Sequence, residues 1–406
     1  MMPRPPFMRS PIFGLGNVNG IIGHTIPMGN YFIVISIPPA RPIKDCFKSP
    51  IPVRDTNMTD LSTHDALVIH GKGDLRMDRI ATPPPGPGEV RVRIAWGGIC
   101  GSDMHYLRHG GVGASVLREP MVLGHEVSGT VEACGPDVHG WQAGEPVAIH
   151  PAKPCGTCPE CRRGLHNLCR NMRFFGSAAY LPHTQGGFRR TMTVAASQLH
   201  RLPPGLDLRR AALAEPFAVA LHAIARAGSC AGKSVLVQGA GPIGALIVAG
   251  LAVRGAARIV AADLHDFPLS VARRLGATET WNTGAPAPDA SRDEEFDIVF
   301  EATGVVAALP FAIAHTRRGG VLVQVGMFPP GTIEVPMAQI IARELDLRGT
   351  FRFDAEFAEA LDLLAAHPQI ADGLVTHEFA FDAYAAAFDA SSNRQAASKV
   401  MLEIGG

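Results

Sequence analysis

The stretch Lys233–Leu264, KSVLVQGAGPIGALIVAGLAVRGAARIVAADL, reads as an apolar strand, a glycine-rich turn, a helix and a second strand. Ser234–Gln238 is largely apolar without alternation, the pattern of a parallel strand buried on both faces. Gly239, Gly241 and Gly244 spell G-x-G-x-x-G with Pro242 and Ile243 inside it, and a helical apolar stretch follows through Val253. Asp263 ends the second strand, twenty-four residues after Gly239. A lone G-x-G-x-x-G says little, but strand, turn, helix, strand and terminal acid in register predict a dinucleotide-binding unit. The glycines let the backbone approach a pyrophosphate at a helix N-terminus. Asp263 can accept hydrogen bonds from both adenosine ribose hydroxyls and would repel a 2′-phosphate, so NAD is favoured and NADP is not excluded. The plainer alternative for Asp263 is an exposed strand-end acid. Further strands at FDIVFEATG (296–304) and GGVLVQVG (319–326) alternate with helical segments, which predicts a doubly wound parallel sheet of the α/β class.

Ahead of this unit, from about residue 64 to 150, short β-rich runs are separated by Gly and Pro: EVRVRIAWGGIC (89–100), VSGTVEACG (127–135) and EPVAIHP (145–151). The alternation in VRVRIAW argues half-buried strands, and the dense turn residues argue a compact β-barrel-like domain. Within it lie GGICGSDMHY (97–106) and MVLGHEVSG (121–129). Cys100, His125 and Glu126 are good metal ligands at predicted strand ends. Singly, the cysteine reads as a small buried hydrophobe and the histidine as structural. Joined by a distant Glu215 in LAEPFAVALHA (213–223), they form a mixed-ligand set. Mixed ligands with a water or substrate completing the shell describe a catalytic zinc. PCGTCPECRRGLHNLC (154–169) places Cys155, Cys158, Cys161 and Cys169 at C-x2-C-x2-C-x7-C spacing. Four thiols this close favour a closed tetrahedral Zn²⁺ site, which is structural. Two disulfides are the competing reading, better suited to small secreted domains.

The chain has 406 residues, 47% hydrophobic and 18% charged, with 44 glycines and zero formal net charge. Two or three domains and a globular α/β enzyme fit that profile. The zinc loop carries Arg162, Arg163 and Arg170, so a nucleic-acid zinc ribbon is an alternative, but a neutral chain offers no wider basic field. Residues 1–60 are rich in Pro and Gly and lack periodicity, and are expected to be a disordered extension or a start-site artefact with Met58 as an alternative start. YFIVISI (31–37) is far too short to span a membrane, and neither a signal nor a transit peptide is recognisable, so a cytoplasmic protein without membrane contact is expected.

From about residue 64 onward the sequence resembles the zinc-containing medium-chain alcohol dehydrogenases, within them the polyol branch that includes sorbitol dehydrogenase, and most of all the bacterial L-idonate 5-dehydrogenase group. The likeness is carried by GGICGSDMHY, PMVLGHEVSG, KPCGTCPECRRG, MRFFGSAAYLPHTQGGF, LAEPFAVALHA, GAGPIG, VQVGMF and LRGTFRF; MRFFGSA and GTFRF point to the sugar-acid group. The resemblance implies a GroES-like catalytic domain at 64–210 and 351–406, with a structural zinc lobe at about 150–172, around a Rossmann NAD-binding domain at 211–350. It implies two zinc ions per chain and a homodimer or homotetramer. Cys100, His125 and Glu126 resemble the catalytic zinc ligands of the polyol branch. Glu215 stands where the alcohol branch has a second cysteine ligand; the resemblance implies a catalytic role for it in binding the zinc-bound water or substrate, and the third ligand is left open between the two glutamates. Ser102 is implied to accept the substrate proton and His105 to pass it to solvent by way of the nicotinamide ribose. Tyr106, Phe175 and Arg352 match positions lining the substrate cleft. Arg173 and Lys153 are further cationic candidates, and each of these cations could instead serve a surface or interdomain ion pair. Asp103 reads as a hydrogen-bonding support beside the ligand loop. The implied reaction is NAD-dependent oxidation of L-idonate to 5-keto-D-gluconate, with sorbitol, xylitol or L-threonine as alternative substrates. A zinc-free quinone reductase or non-catalytic nucleotide binder is the alternative from another class, and it would lack these ligands.

Overall fold

The computed structural model describes residues 63–284 and 294–405. The expected extension at 1–60 lies outside them. The first described strand is Thr63–Gly71.

Residues 234–349 form a six-stranded sheet in which every pairing is parallel. Its spatial order is Glu279–Asn282, Arg258–Asp263, Ser234–Gln238, Phe296–Glu301, Thr316–Gln324, Asp346–Gly349. The chain thus starts in the middle, winds to one edge and returns to wind to the other, the Rossmann order that opens a crevice where the winding reverses. Val235, Leu236 and Val237 have no exposed surface, as two-sided helix cover requires. Helix Pro242–Val253 starts on a proline in its first turn, where the missing N–H costs nothing. Two of the three motif glycines, Gly239 before the helix and Gly244 within it, are sterically required. A Cβ on Gly244 would sit 1.8 Å from the Gly239 carbonyl oxygen, and Gly239 has φ +95° with Thr303 Cγ2 2.9 Å from a built Cβ. A Cβ on Gly241 would meet nothing within 4 Å, so that backbone faces open space at the switch point.

The other large sheet is mostly antiparallel. It orders Leu199–Arg201, Pro146–Ile149, Glu126–Cys134, Glu89–Gly98, Lys399–Glu403 and Val375–Ala380, and Thr191–Ala195 also pairs with Glu89–Gly98. Met401 opposite Gly98 brings the last strand back onto the first half of the chain. Gly98 in turn stands opposite Glu126, and a Cβ on Gly98 would lie 2.1 Å from a Glu126 carboxylate oxygen. Glycine at 98 is what admits that side chain. Helix Ala214–Ala227 is buried along most of its length against helices Pro242–Val253 and Glu356–Ala366. It presents Glu215 from its first turn. No helix among the described residues is long and apolar enough to cross a membrane.

Candidate active site

The ligand atoms of Cys100, His125 and Glu126 lie within 4.8 Å of one another. Cys100 caps helix Gly101–His109, whose first turn carries Asp103. Asp103 is 1% exposed and ties the two ligand loops together: its carboxylate accepts from Cys100 N at 3.0 Å and Gly124 N at 3.1 Å. Its Oδ1 also lies 3.9 Å from His125 Nδ1. Burial raises the Asp103 carboxyl, opposed by His125 and these two N–H donors. Burial works against a charge on His125, yet Cys100, Asp103 and Glu215 together hold it well above its ordinary value. A compact Cys/His/Glu set with a buried anionic surround suits a divalent cation.

The two candidate glutamates differ sharply. Both Glu126 oxygens accept from Lys399 Nζ at 2.7 Å, and Lys399 also donates to the Ile99 carbonyl at 3.2 Å. The pair is buried, at 2% and 1% side-chain exposure. Glu215 is also buried but makes no hydrogen bond among the described residues. Burial raises its carboxyl to about 7, against the opposing pull of His125. The sequence reading missed Lys399. The signal was there, since a lysine entering the apolar strand KVMLE must find a carboxylate once buried.

Ser102 and His105 lie on helix Gly101–His109, half-buried and exposed respectively. The His105 ring is 5.6 Å from that of His109. Partial burial, followed by His109, Arg394 and Arg108, lowers His105 below its ordinary value. Tyr106 is 3% exposed, and its hydroxyl accepts from Ala178 N at 2.9 Å, while Phe175 joins the same apolar cluster. Arg352 sits over the Phe174 ring at 4.4 Å, and the other side of this relation is close to the metal set, because Phe174 lies 5.5 Å from the His125 ring. Arg352 has no hydrogen-bonded or ion-paired partner among the described residues, and burial lowers it from its usual value. Arg173 donates to the Pro182 carbonyl at 2.8 Å, and Lys153 is exposed opposite it on a two-stranded ladder.

Cys155, Cys158, Cys161 and Cys169 form a second set with ligand atoms within 4.8 Å. All seven described cysteines are free thiols. Hydrogen bonds from Thr157 and then Cys158 N lower Cys155 to about 5, towards the thiolate a metal needs. Of the lobe arginines, Arg170 is committed to Glu160 through two 2.8 Å hydrogen bonds, and Arg163 lies 3.6 Å from the same carboxylate. Those charges belong to the lobe's own framework. In the dinucleotide unit, Asp263 accepts from Ala240 N at 2.9 Å and His265 N at 3.1 Å, so it braces the glycine turn from the strand end.

Two family models match, the alcohol dehydrogenase GroES-like domain over residues 86–204 and the zinc-binding dehydrogenase over 242–366. The L-idonate 5-dehydrogenase (NAD(P)(+)) of Escherichia coli K12 is 42% identical over 314 residues, spanning 77% of this chain and 90% of that protein. Sorbitol dehydrogenase of Gallus gallus is 38% identical over 345 residues, spanning 83% and 96%. The crystal structure of L-idonate 5-dehydrogenase from Escherichia coli K-12 superposes with a TM-score of 0.78 at 39% identity, covering 84% of this chain and 98% of that one. A family matched in both halves brings zinc and NAD(P) as its cofactors, and the two cation sets and the open glycine turn fit them. The chain belongs to the polyol branch of the zinc-containing medium-chain alcohol dehydrogenases and is an oxidoreductase acting on a secondary alcohol of a polyol or sugar acid.

Proposed function

We propose that the protein is an L-idonate 5-dehydrogenase, converting L-idonate and NAD⁺ to 5-keto-D-gluconate, NADH and a proton. The observation that carries this reading is Arg352, a half-buried guanidinium without a hydrogen-bonded or ion-paired partner among the described residues and one phenylalanine ring away from His125. A desolvated cation beside the reacting centre suits a carboxylate-bearing substrate better than a neutral polyol. The likeness to the Escherichia coli enzyme supports the same substrate.

Cys100, His125 and a glutamate would hold the catalytic zinc, and Cys155, Cys158, Cys161 and Cys169 the structural one. When bound, zinc would supply the positive charge that lowers the pKa of a hydroxyl, and NAD⁺ would supply the hydride acceptor. Ser102 takes the hydroxyl proton. His105, exposed and held below its ordinary value, is neutral near pH 7 and passes that proton to solvent. Tyr106 and Phe175 wall the substrate side, and Asp263 favours NAD. The catalytic part comprises 64–210 and 351–406, and the nucleotide part 211–350. Self-association to a dimer or tetramer is supported by Asp346–Gly349, an edge strand with one neighbour among the described residues, where Leu347 is 44% exposed, and by Ile341, 71% exposed.

The test is a substrate panel of L-idonate, D-gluconate, sorbitol, xylitol and L-threonine at equal low concentration, run on wild type and Arg352→Ala. L-Idonate should be the best substrate. Arg352→Ala should cut its kcat/KM by roughly ten- to 150-fold, the worth of a charge-assisted bond, with sorbitol far less affected. Equal losses would assign Arg352 to a chain hydroxyl. Wild type oxidising sorbitol faster than L-idonate would remove the sugar-acid assignment and leave a sorbitol dehydrogenase, as the likeness to the Gallus gallus enzyme would then favour.

A further inference from the structure

We infer that Asn167, in the cysteine lobe, is a positioning residue that sets Arg352 for substrate. The inference rests on the reading of Arg352 as the substrate's partner. Arg352 is one of three described non-glycine residues with positive φ, at +54°, a backbone state that an L side chain rarely adopts. Something must hold it there, and the structure shows an anchor on each side. Before it, Asn167 Nδ2 donates to the Phe351 carbonyl at 3.0 Å. After it, Asp354 N donates to Glu356 at 2.8 Å, and the Asp354 carboxylate accepts from His166 N and pairs with His166 Nδ1, both at 3.1 Å.

The two anchors are joined. Asn167 Nδ2 lies 3.3 Å from His222 Nε2, and His222 Nδ1 lies 2.8 Å from Glu356 Oε1. One proton arrangement satisfies every contact. The amide gives one hydrogen to the Phe351 carbonyl and the other to His222 Nε2, and His222 Nδ1–H donates to Glu356. Asn167 is 6% exposed, so its amide has no ready replacement in solvent. It sits on the short turn His166–Leu168, immediately before the lobe ligand Cys169. The lobe therefore reaches the substrate cleft through a side chain as well as through the shape of the domain. Helix Ala214–Ala227, which carries His222, also carries Glu215 beside the catalytic set, so the same network references Arg352 to the reacting centre.

The experiment compares Asn167→Asp and Asn167→Ala with wild type and with Arg352→Ala, using L-idonate and sorbitol as substrates. Positioning predicts a KM for L-idonate raised about three- to tenfold with kcat within about twofold, the consequence of one lost hydrogen bond acting on binding. NADH affinity, by fluorescence titration, and a zinc content of two per chain should be unchanged. A parallel fall in NADH affinity, zinc content and melting temperature would show a merely structural residue and overturn the inference, as would an unchanged KM where Arg352→Ala itself raises KM. In the Arg352→Ala background Asn167→Ala should add nothing; an additive effect also overturns it. A crystal structure of Asn167→Ala separates this inference from the substrate reading. Residue 352 leaving the positive-φ region supports the anchor whatever the substrate, whereas an unmoved residue 352 refutes it. Loss of Arg352's effect on KM alone would refute only the substrate reading.

Discussion

In protein stripped of zinc, with wild type treated alike, replacing Lys399 by methionine would leave Glu126 charged, 1% exposed and without the cation that now meets both its oxygens. Breaking a buried pair from one side costs about 3–5 kcal/mol, because the surviving charge keeps its desolvation penalty and loses its partner. At about 2–4 °C per kcal/mol for a domain of 150–250 residues, Lys399→Met should melt roughly 6–20 °C below wild type by scanning calorimetry. The pH dependence has a definite sign. Burial opposes the Lys399 charge, but Glu126, Cys100 and Glu215 outweigh it and hold the amine above its ordinary value. A raised amine contributes stability that is complete below the ordinary lysine value and fades only as pH climbs through the raised one. The penalty should therefore be constant from about pH 6 to 9. Adding Glu126→Gln should restore part of the loss, since no unpaired charge then remains. A melting point within about 1 °C of wild type, or a double variant no better than Lys399→Met, would refute the assignment of a coupled buried pair.

Cys158→Ser should lower the zinc content by one per chain and reduce thermal stability, by metal analysis and calorimetry; full zinc with unchanged melting would remove the lobe metal site. His125→Ala should abolish turnover yet still bind NADH, because the glycine turn lies on the other sheet; normal turnover would exclude a metal mechanism at this set. Asp263→Ala should lower NAD⁺ efficiency at least about tenfold and raise relative use of NADP⁺. The same change frees Ala240 N and His265 N, so some loss should also appear with NADP⁺. An unchanged NAD⁺/NADP⁺ ratio would move the selectivity to other residues.

The nucleotide half was legible in the sequence because its rules are local. Strand, glycine turn, helix and acid follow one another within Lys233–Leu264, and the observed strands Ser234–Gln238 and Arg258–Asp263 fall where apolarity and Asp263 predict them. The cysteine lobe was legible for the same reason. The catalytic sheet was harder to read, since its central strand Glu89–Gly98 is flanked by Lys399–Glu403, joined only in three dimensions. The helix after Cys100 went unread, although Asp103 accepting from Cys100 N is the mark of a helix start that an acid three residues after the cap announces. Arg352 was legible as a cation. Its positive φ and the Asn167–His222–Glu356 support were not, because they join segments from three distant parts of the chain.

The two glutamates show what spacing cannot decide. Glu126 follows His125 directly and Glu215 lies far along the chain, yet by residue type each has an equal claim to the catalytic metal. The structure makes them electrostatically different: Glu126 is already neutralised by Lys399, and Glu215 is buried with its carboxyl raised to about 7 and no hydrogen bond among the described residues. A carboxylate shared with an ammonium donates less charge to a metal, while one without a partner gains more from ligation, because ligation relieves its desolvation. Under the proposed zinc reading, the balance between the two glutamates would therefore be governed by residue 399, on a strand that the sequence places far from both. Weakening Lys399 should shift the metal's preference toward Glu126. Strengthening the positive charge near Glu126 should shift it toward Glu215.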